Sequence, residues 1–292
     1  MVAQSPYISR VWDFLPAPGQ FVNQLPEYEP GDESEAMRRK AEEAIAHNNR
    51  GMISLGGWGG YVVFGFDHMI PNIAGQNDFI VLGNAFYSTT GAQQDGRPGG
   101  SCEPGVVMVS YDANGNGQPD DEWYELAGSE YTNPQTIHNY TRTYYRSSPD
   151  TYPEWIDADS LTFTGTRLPD NYEDLSGEGT YYVQYAYPWG YVDNHPNNSE
   201  QARLNIEWAV NNNGEPANLP GIHFVKVYTG VSQHCGWLGE TSTEVTGATD
   251  LHLQTSLSPT TLSTTPTKQI SGGTLILHLP DGRQYTIIGT KL

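Results

Sequence analysis

The segment VVMVSYDANGNGQPDDEWYELA (residues 106–127) reads as two strands around a polar turn. Residues 106–111 and 122–127 are apolar or aromatic runs, and the Asn and Gly residues between them suit a tight turn with positive φ. The same pattern recurs on both sides. Runs at 53–55, 61–66 and 79–82 precede it, and runs at 140–145, 161–165, 181–187, 203–209 and 224–229 follow. Short strands at this spacing predict a mainly β chain, a β-sandwich of jelly-roll type with long decorated loops.

Only one helix is expected. Ser34 can cap it, Met37, Ala41, Ala44 and Ile45 share a face, and Asn48-Asn49 ends it. Residues 5–33 read as irregular because Pro16, Pro18, Pro26 and Pro30 interrupt any period. The division predicted is a ligand-binding sandwich over 1–253, a Ser/Thr/Pro-rich linker over 254–268 and a β-hairpin appendage over 269–292. In the appendage, Pro280-Asp281-Gly282 is the turn between the two strands.

Composition narrows the function classes. Among 292 residues, 34 Asp and Glu face 14 Lys and Arg, a formal charge of −20. No basic stripe exists to neutralise phosphates, so nucleic acid is excluded as a partner, and a polybasic membrane patch is equally absent. No run approaches the ~20 apolar residues of a membrane span, so membrane attachment would need an anchor outside these residues. The start, Met1-Val2-Ala3-Gln4, has no signal-peptide pattern, which is expected of a mature or excised piece of a secreted protein. Cys102 and Cys235 are the only cysteines and leave two readings open, a bridge or two separate thiols.

The turn at 112–122 carries the sharpest chemical signal. Asp112, Asn114, Asn116 and Asp120 stand at positions 1, 3, 5 and 9 of a calcium-type loop, with Gly117 at position 6 and the Gln118 carbonyl at position 7. Calcium needs such a coil because a hard cation takes several oxygens at once. Position 12 is Trp123 rather than Glu, and a metal-free polar turn would use the same Asn-Gly pairs. Catalytic templates are missing: there is no G-x-S-x-G, H-E-x-x-H or Walker sequence, so a non-enzyme is expected.

Aromatic residues beside amides and imidazoles gather at predicted strand ends. Candidate ligand-lining residues are Trp58, Phe86, Tyr87, Trp189, Tyr191, His195, Asn197, His234 and Trp237. Each has a structural alternative: Trp58 and Trp237 lie among glycines and can pack, and His195 can cap a turn. His, Cys and Glu crowd together at 234–240, but no second pair at ligand spacing supports zinc.

Several long segments carry a family resemblance. They are PAPGQFVNQLPEYEPGD (16–32), ISLGGWGGYVVFGFDHMI (53–70), NDFIVLGNAF (77–86) and EPGVVMVSYDANGNGQPDDEWYELAGSEY (103–131). FTGTRLPDN (163–171), GYVDNHPN (190–197), LPGIHFVKVYTGV (219–231) and GWLGETSTEV (236–245) extend it over most of 5–252. The chain resembles Bacteroidetes cell-surface proteins that include surface-exposed lipoproteins binding vitamin B12 and related corrinoids. That resemblance implies an extracellular location, a β-rich ligand domain and capture ahead of a TonB-dependent outer-membrane transporter. The rival expectation is a calcium-stabilised carbohydrate-binding module, which would also use exposed aromatics and Asn/Asp.

Overall fold

Alternation along Gly57–Pro71 organises the protein: Val62 and Phe64 point into the core, while Tyr61 and Val63 face the other way. The computed structural model describes residues 4–88 and 96–253, and beyond them strands Thr267–Ser271, Thr274–His278 and Gln284–Thr286. Among the described residues the protein is mainly β, with one α-helix and several antiparallel sheets. The largest sheet runs in the order Arg10–Ala17, Gly57–Pro71, Gly221–Thr229, Gly105–Ser110, Trp123–Leu126, Ala209–Val210.

One face of this six-stranded sheet presents Val11, Phe14, Val62, Phe64, Val107, Val109, Leu126, Val225 and Val227 to the main core. Against it pack Met37, Ala41 and Ile45 of the helix Ser34–Ile45, and Phe79, Val81, Leu204 and Ala248 of a three-stranded sheet. The opposite face carries Tyr61, Met108, Trp123, Glu125 and Lys226, and the hairpin of Ile137–Tyr145 with Ser160–Arg167 lies over part of it. Ser34 is the first helical residue rather than the cap; Glu33 takes the cap position without a side-chain bond.

Two expectations need correction. Residues 5–33 are not all irregular, because Arg10–Ala17 is an eight-residue strand. Pro16 is tolerated because the strand lies at the sheet edge, and the register slips between Leu15 and Ala17, where a missing N–H costs no ladder bond. The run at 203–209 is two short strands, Arg203–Leu204 and Ala209–Val210, separated by a 3-10 turn whose cap, Asn205, accepts from the Glu207 N–H.

The chain divides after Leu253 into two units. The second unit contains three antiparallel strands rather than a single hairpin, with Thr267–Ser271 pairing onto Thr274–His278. Thr267 and Lys268 of the expected linker therefore belong to a strand, while residues 254–266 and the Pro280-Asp281-Gly282 turn fall outside the described residues.

Candidate functional site

Trp237 is the most exposed large apolar side chain of the described residues, at 93%. It sits in a loop closed by a bridge between His234 and Glu240 and flanked by Gly236 and Gly239, whose φ of 105° and 107° a side chain would resist. Across from it stands Phe86, 58% exposed on a two-residue strand of the four-stranded sheet. Tyr181 and Leu238, 43% and 45% exposed, complete an apolar rim. Together they enclose a cleft of about 540 Å³ whose polar wall includes Ser101 and Gln184.

The structure sorts the sequence-predicted residues sharply. Phe86 and Trp237 meet at this cleft, and Tyr87 follows Phe86 along the strand. His234 holds the base of the Trp237 loop, its Nε2 3.1 Å from Asp150 Oδ1, which also accepts the Glu240 N–H. Asn197 uses its side-chain amide on both the N–H and the carbonyl of Gly83, at 3.0 and 2.9 Å, so it braces a loop. Trp189 lies apart, tilted against Trp208 with ring centroids 4.6 Å from each other.

Three of the nine are corrections. Trp58 is fully buried with Ala17, Tyr144 and Phe163, and its indole N–H donates to the Thr166 carbonyl. The glycines around it serve close packing: a Cβ on Gly56 would lie 1.8 Å from the Ala17 carbonyl oxygen. Tyr191 is buried against Tyr187, and its hydroxyl accepts the Glu130 N–H. His195 is 6% exposed, bonded between the Tyr87 hydroxyl and the Pro188 carbonyl, and burial holds its imidazole below the usual pKa. None of these three can line an open pocket. Tyr181, Leu238, Ser101 and Gln184 escaped sequence reading. Tyr181 was legible from the Gly177 and Gly179 turn before it; the others join the cleft only through tertiary contacts.

Cys102 and Cys235 are both free thiols. Cys235 lines the cleft, and burial pushes its thiol up to about 11, so it remains protonated at neutral pH.

The polar turn folds as a tight coil. Asp112 accepts the N–H groups of Asn116 and Gly117 at 3.1 and 2.9 Å, and Gly115 and Gly117 take φ of 71° and 70°. The side-chain amides of Asn114 and Asn116 both reach Asp120. The four predicted side chains thus converge, and every donor they could offer a cation is oxygen, which suits calcium. Trp123 begins a strand paired to Ser110, so position 12 supplies no carboxylate.

A second concave region lies on the open face of the six-stranded sheet. Beside Gln118 and Pro119 of the polar turn, Trp12, Tyr61 and Trp123 line a groove of about 510 Å³ with Asp13 and Lys226. The Tyr61 hydroxyl donates to Asp13 Oδ2 at 2.7 Å, and Lys226 Nζ lies 4.0 Å above the Tyr61 ring. The neighbouring hollow of about 320 Å³ is lined by the Glu125 carboxylate, bonded by the Thr166 hydroxyl at 2.6 Å.

Burial pushes the Glu125 carboxyl up to about 7, against the opposing pull of the Thr166 hydrogen bond. The folded protein therefore holds this proton over a pH range where the unfolded chain, near its usual 4.5, has released it. The linkage makes stability fall as pH rises from about 4.5 to 7 and then level off. Glu125→Gln is expected to add about 1–3 kcal/mol at pH 8 and almost nothing at pH 4, at ~1.4 kcal/mol per pKa unit. Urea unfolding at the two pH values checks this; an equal effect at both would remove the proton from the account.

No family model matches the chain, and no curated protein matches it.

Proposed function

We propose that the chain is a surface-exposed binding protein that captures vitamin B12 or a related corrinoid for outer-membrane uptake, and that the ligand sits in the cleft between Phe86 and Trp237. The observation that carries this reading is the exposed apolar rim set above a polar wall. A corrinoid offers a flat conjugated ring edged with amide arms. The ring would pack on Trp237, Phe86 and Tyr181, and the amides would exchange hydrogen bonds with Ser101 and Gln184. The segments that resemble corrinoid-binding surface lipoproteins support this choice of ligand class. On this reading the chain works outside the cell, attached to the outer membrane through an anchor beyond these residues, and passes its ligand unaltered to a TonB-dependent transporter or that transporter's surface lipoprotein. Mixing the protein with cyanocobalamin and removing free ligand by gel filtration tests it: colour should travel with the protein.

The sheet-face groove favours a second reading, a carbohydrate-binding module. Trp12, Tyr61 and Trp123 beside Asp13 suit the apolar faces and hydroxyls of a sugar. A colourless protein retained on a glycan array, with retention lost in Trp123→Ala, would select it.

Under either reading the coil of Asp112, Asn114, Asn116 and Asp120, with the Gln118 carbonyl, is proposed to hold a structural Ca²⁺. An ion at 100 times its Kd adds ~2.7 kcal/mol. At ~2–4 °C per kcal/mol, this is expected to raise Tm by about 5 °C or more. Asp112→Ala should abolish the coil's share of that rise in differential scanning calorimetry. A variant whose calcium response equals that of the unaltered protein would sink the site.

A further inference from the structure

Beneath the cleft lies a set of acids that the ligand reading leaves unused. Glu103, Asp193 and Glu244 are 8%, 3% and 1% exposed, and each offers one carboxylate oxygen within 4.8 Å of the others. They come from three distant segments, so the fold brings them together. None of the ion pairs among the described residues involves them. Three carboxylates in one dry place need either protons or a cation to coexist.

Burial raises all three carboxyls above their usual range, yet Asp193 is surrounded by donors that suit its charged form. Asp193 Oδ1 accepts the N–H groups of Asn84 and Ala85, both at 2.7 Å, and Oδ2 accepts the Glu244 N–H at 2.9 Å. Asp193 holds a left-handed φ of 54°, and a Cβ on Gly83 would come within 2.3 Å of its Oδ1, so glycine is required for the approach. The Glu103 N–H is tied to the Asp193 carbonyl at 2.8 Å, and the Ser101 hydroxyl donates to Glu103 Oε2 at 3.2 Å. An independent sign comes from Glu244: its Oε1 is buried and has no hydrogen-bond partner. An ionised oxygen left so is costly, and in native proteins such an atom calls for a proton, an ion or a water.

We propose that Glu103, Asp193 and Glu244 bind a buried calcium ion under the floor of the aromatic cleft, distinct from the ion of the 112–120 coil. The donors are all hard oxygens, and a site this deeply buried suits Ca²⁺ better than Mg²⁺, which keeps part of its hydration shell. A second such cluster among the described residues, Asp150, His234 and Glu240, differs in this respect. There the Arg142 guanidinium already sits 2.7 Å from Glu240 Oε1 and supplies the positive charge. The Glu103 site is tied to the cleft wall through Ser101, so its ion would stiffen that wall whatever ligand the cleft takes.

The test is a count of calcium per chain on the whole 292-residue chain, stripped with EDTA, reloaded with CaCl₂ and desalted. Two ions are expected in the unaltered chain, one in Asp112→Ala, one in Glu244→Gln and none in the double variant. If the coil binds nothing, the counts become one, one, zero and zero, and the buried site still stands. Loss of all calcium in Asp112→Ala, or an ion retained in the double variant, overturns the proposal. Glu244→Gln keeps the side-chain shape and removes a buried charge, so in EDTA it should melt no lower than the unaltered chain. Should that variant fail to fold, Asp112→Ala decides alone: its remaining ion must appear in anomalous diffraction between Glu103, Asp193 and Glu244, and a peak elsewhere or none refutes the site.

Discussion

Trp58→Ala is expected to cost the fold about 3–5 kcal/mol, the largest single effect anticipated here, while leaving the cleft residues in place. The indole is fully buried, meets Tyr140 edge-on at 4.8 Å between ring centroids, and donates to the Thr166 carbonyl. Truncation would open a cavity and strand that carbonyl. The backbone at Trp58 is also a hub: its N–H donates to Glu240 Oε1, and its carbonyl accepts the Tyr144 hydroxyl. Loosening it should spread to the Arg142–Glu240 ion pair beside it. Guanidinium unfolding measures the loss. Near-normal stability combined with lost ligand binding would return Trp58 to the list of ligand contacts.

Trp237→Ala is expected to do the reverse. The side chain rests on little else in the protein, so stability should change by less than ~0.5 kcal/mol, as at other exposed positions. Corrinoid affinity should fall by about 2 kcal/mol or more, the usual cost of removing an aromatic anchor. That is roughly a 30-fold rise in Kd. Phe86→Ala should act in the same direction. Calorimetric titration of both variants, with circular dichroism to check folding, gives the answer. Unchanged affinity in both would move the ligand to the groove of Trp12, Tyr61 and Trp123, where Trp123→Ala then becomes the decisive change.

Much of the architecture is legible in the residues. Strand positions follow from short apolar runs between turn residues, and the helix follows from the spacing of Met37, Ala41 and Ile45, all of which are buried. Arg10–Ala17 was hidden because Pro16 reads as a breaker, and only the sheet order reveals that it lies on an edge where proline does little harm. The candidate site is less legible. Sequence can find aromatics near glycines, but Trp58 and Trp237 share that signature and end at opposite extremes of exposure. What separates them is long-range: Phe163 and Tyr144 close over one, and nothing comparable covers the other. The acids at 103, 193 and 244 show no local spacing at all, since their proximity is a product of topology alone.

The helix does more than close the core. Its Glu42 carboxylate takes the Val11 N–H at 2.9 Å, and Arg38 gives a hydrogen bond to the Val11 carbonyl while pairing with Glu42. These are backbone groups of the outermost strand, which a neighbouring molecule would otherwise recruit to extend the sheet. At the far side the last strand, Ala209–Val210, is only two residues long. Both borders of the largest sheet are therefore poor templates for strand addition. Even at high local concentration, copies of the protein would find few free backbone groups along these two edges on which to extend the sheet.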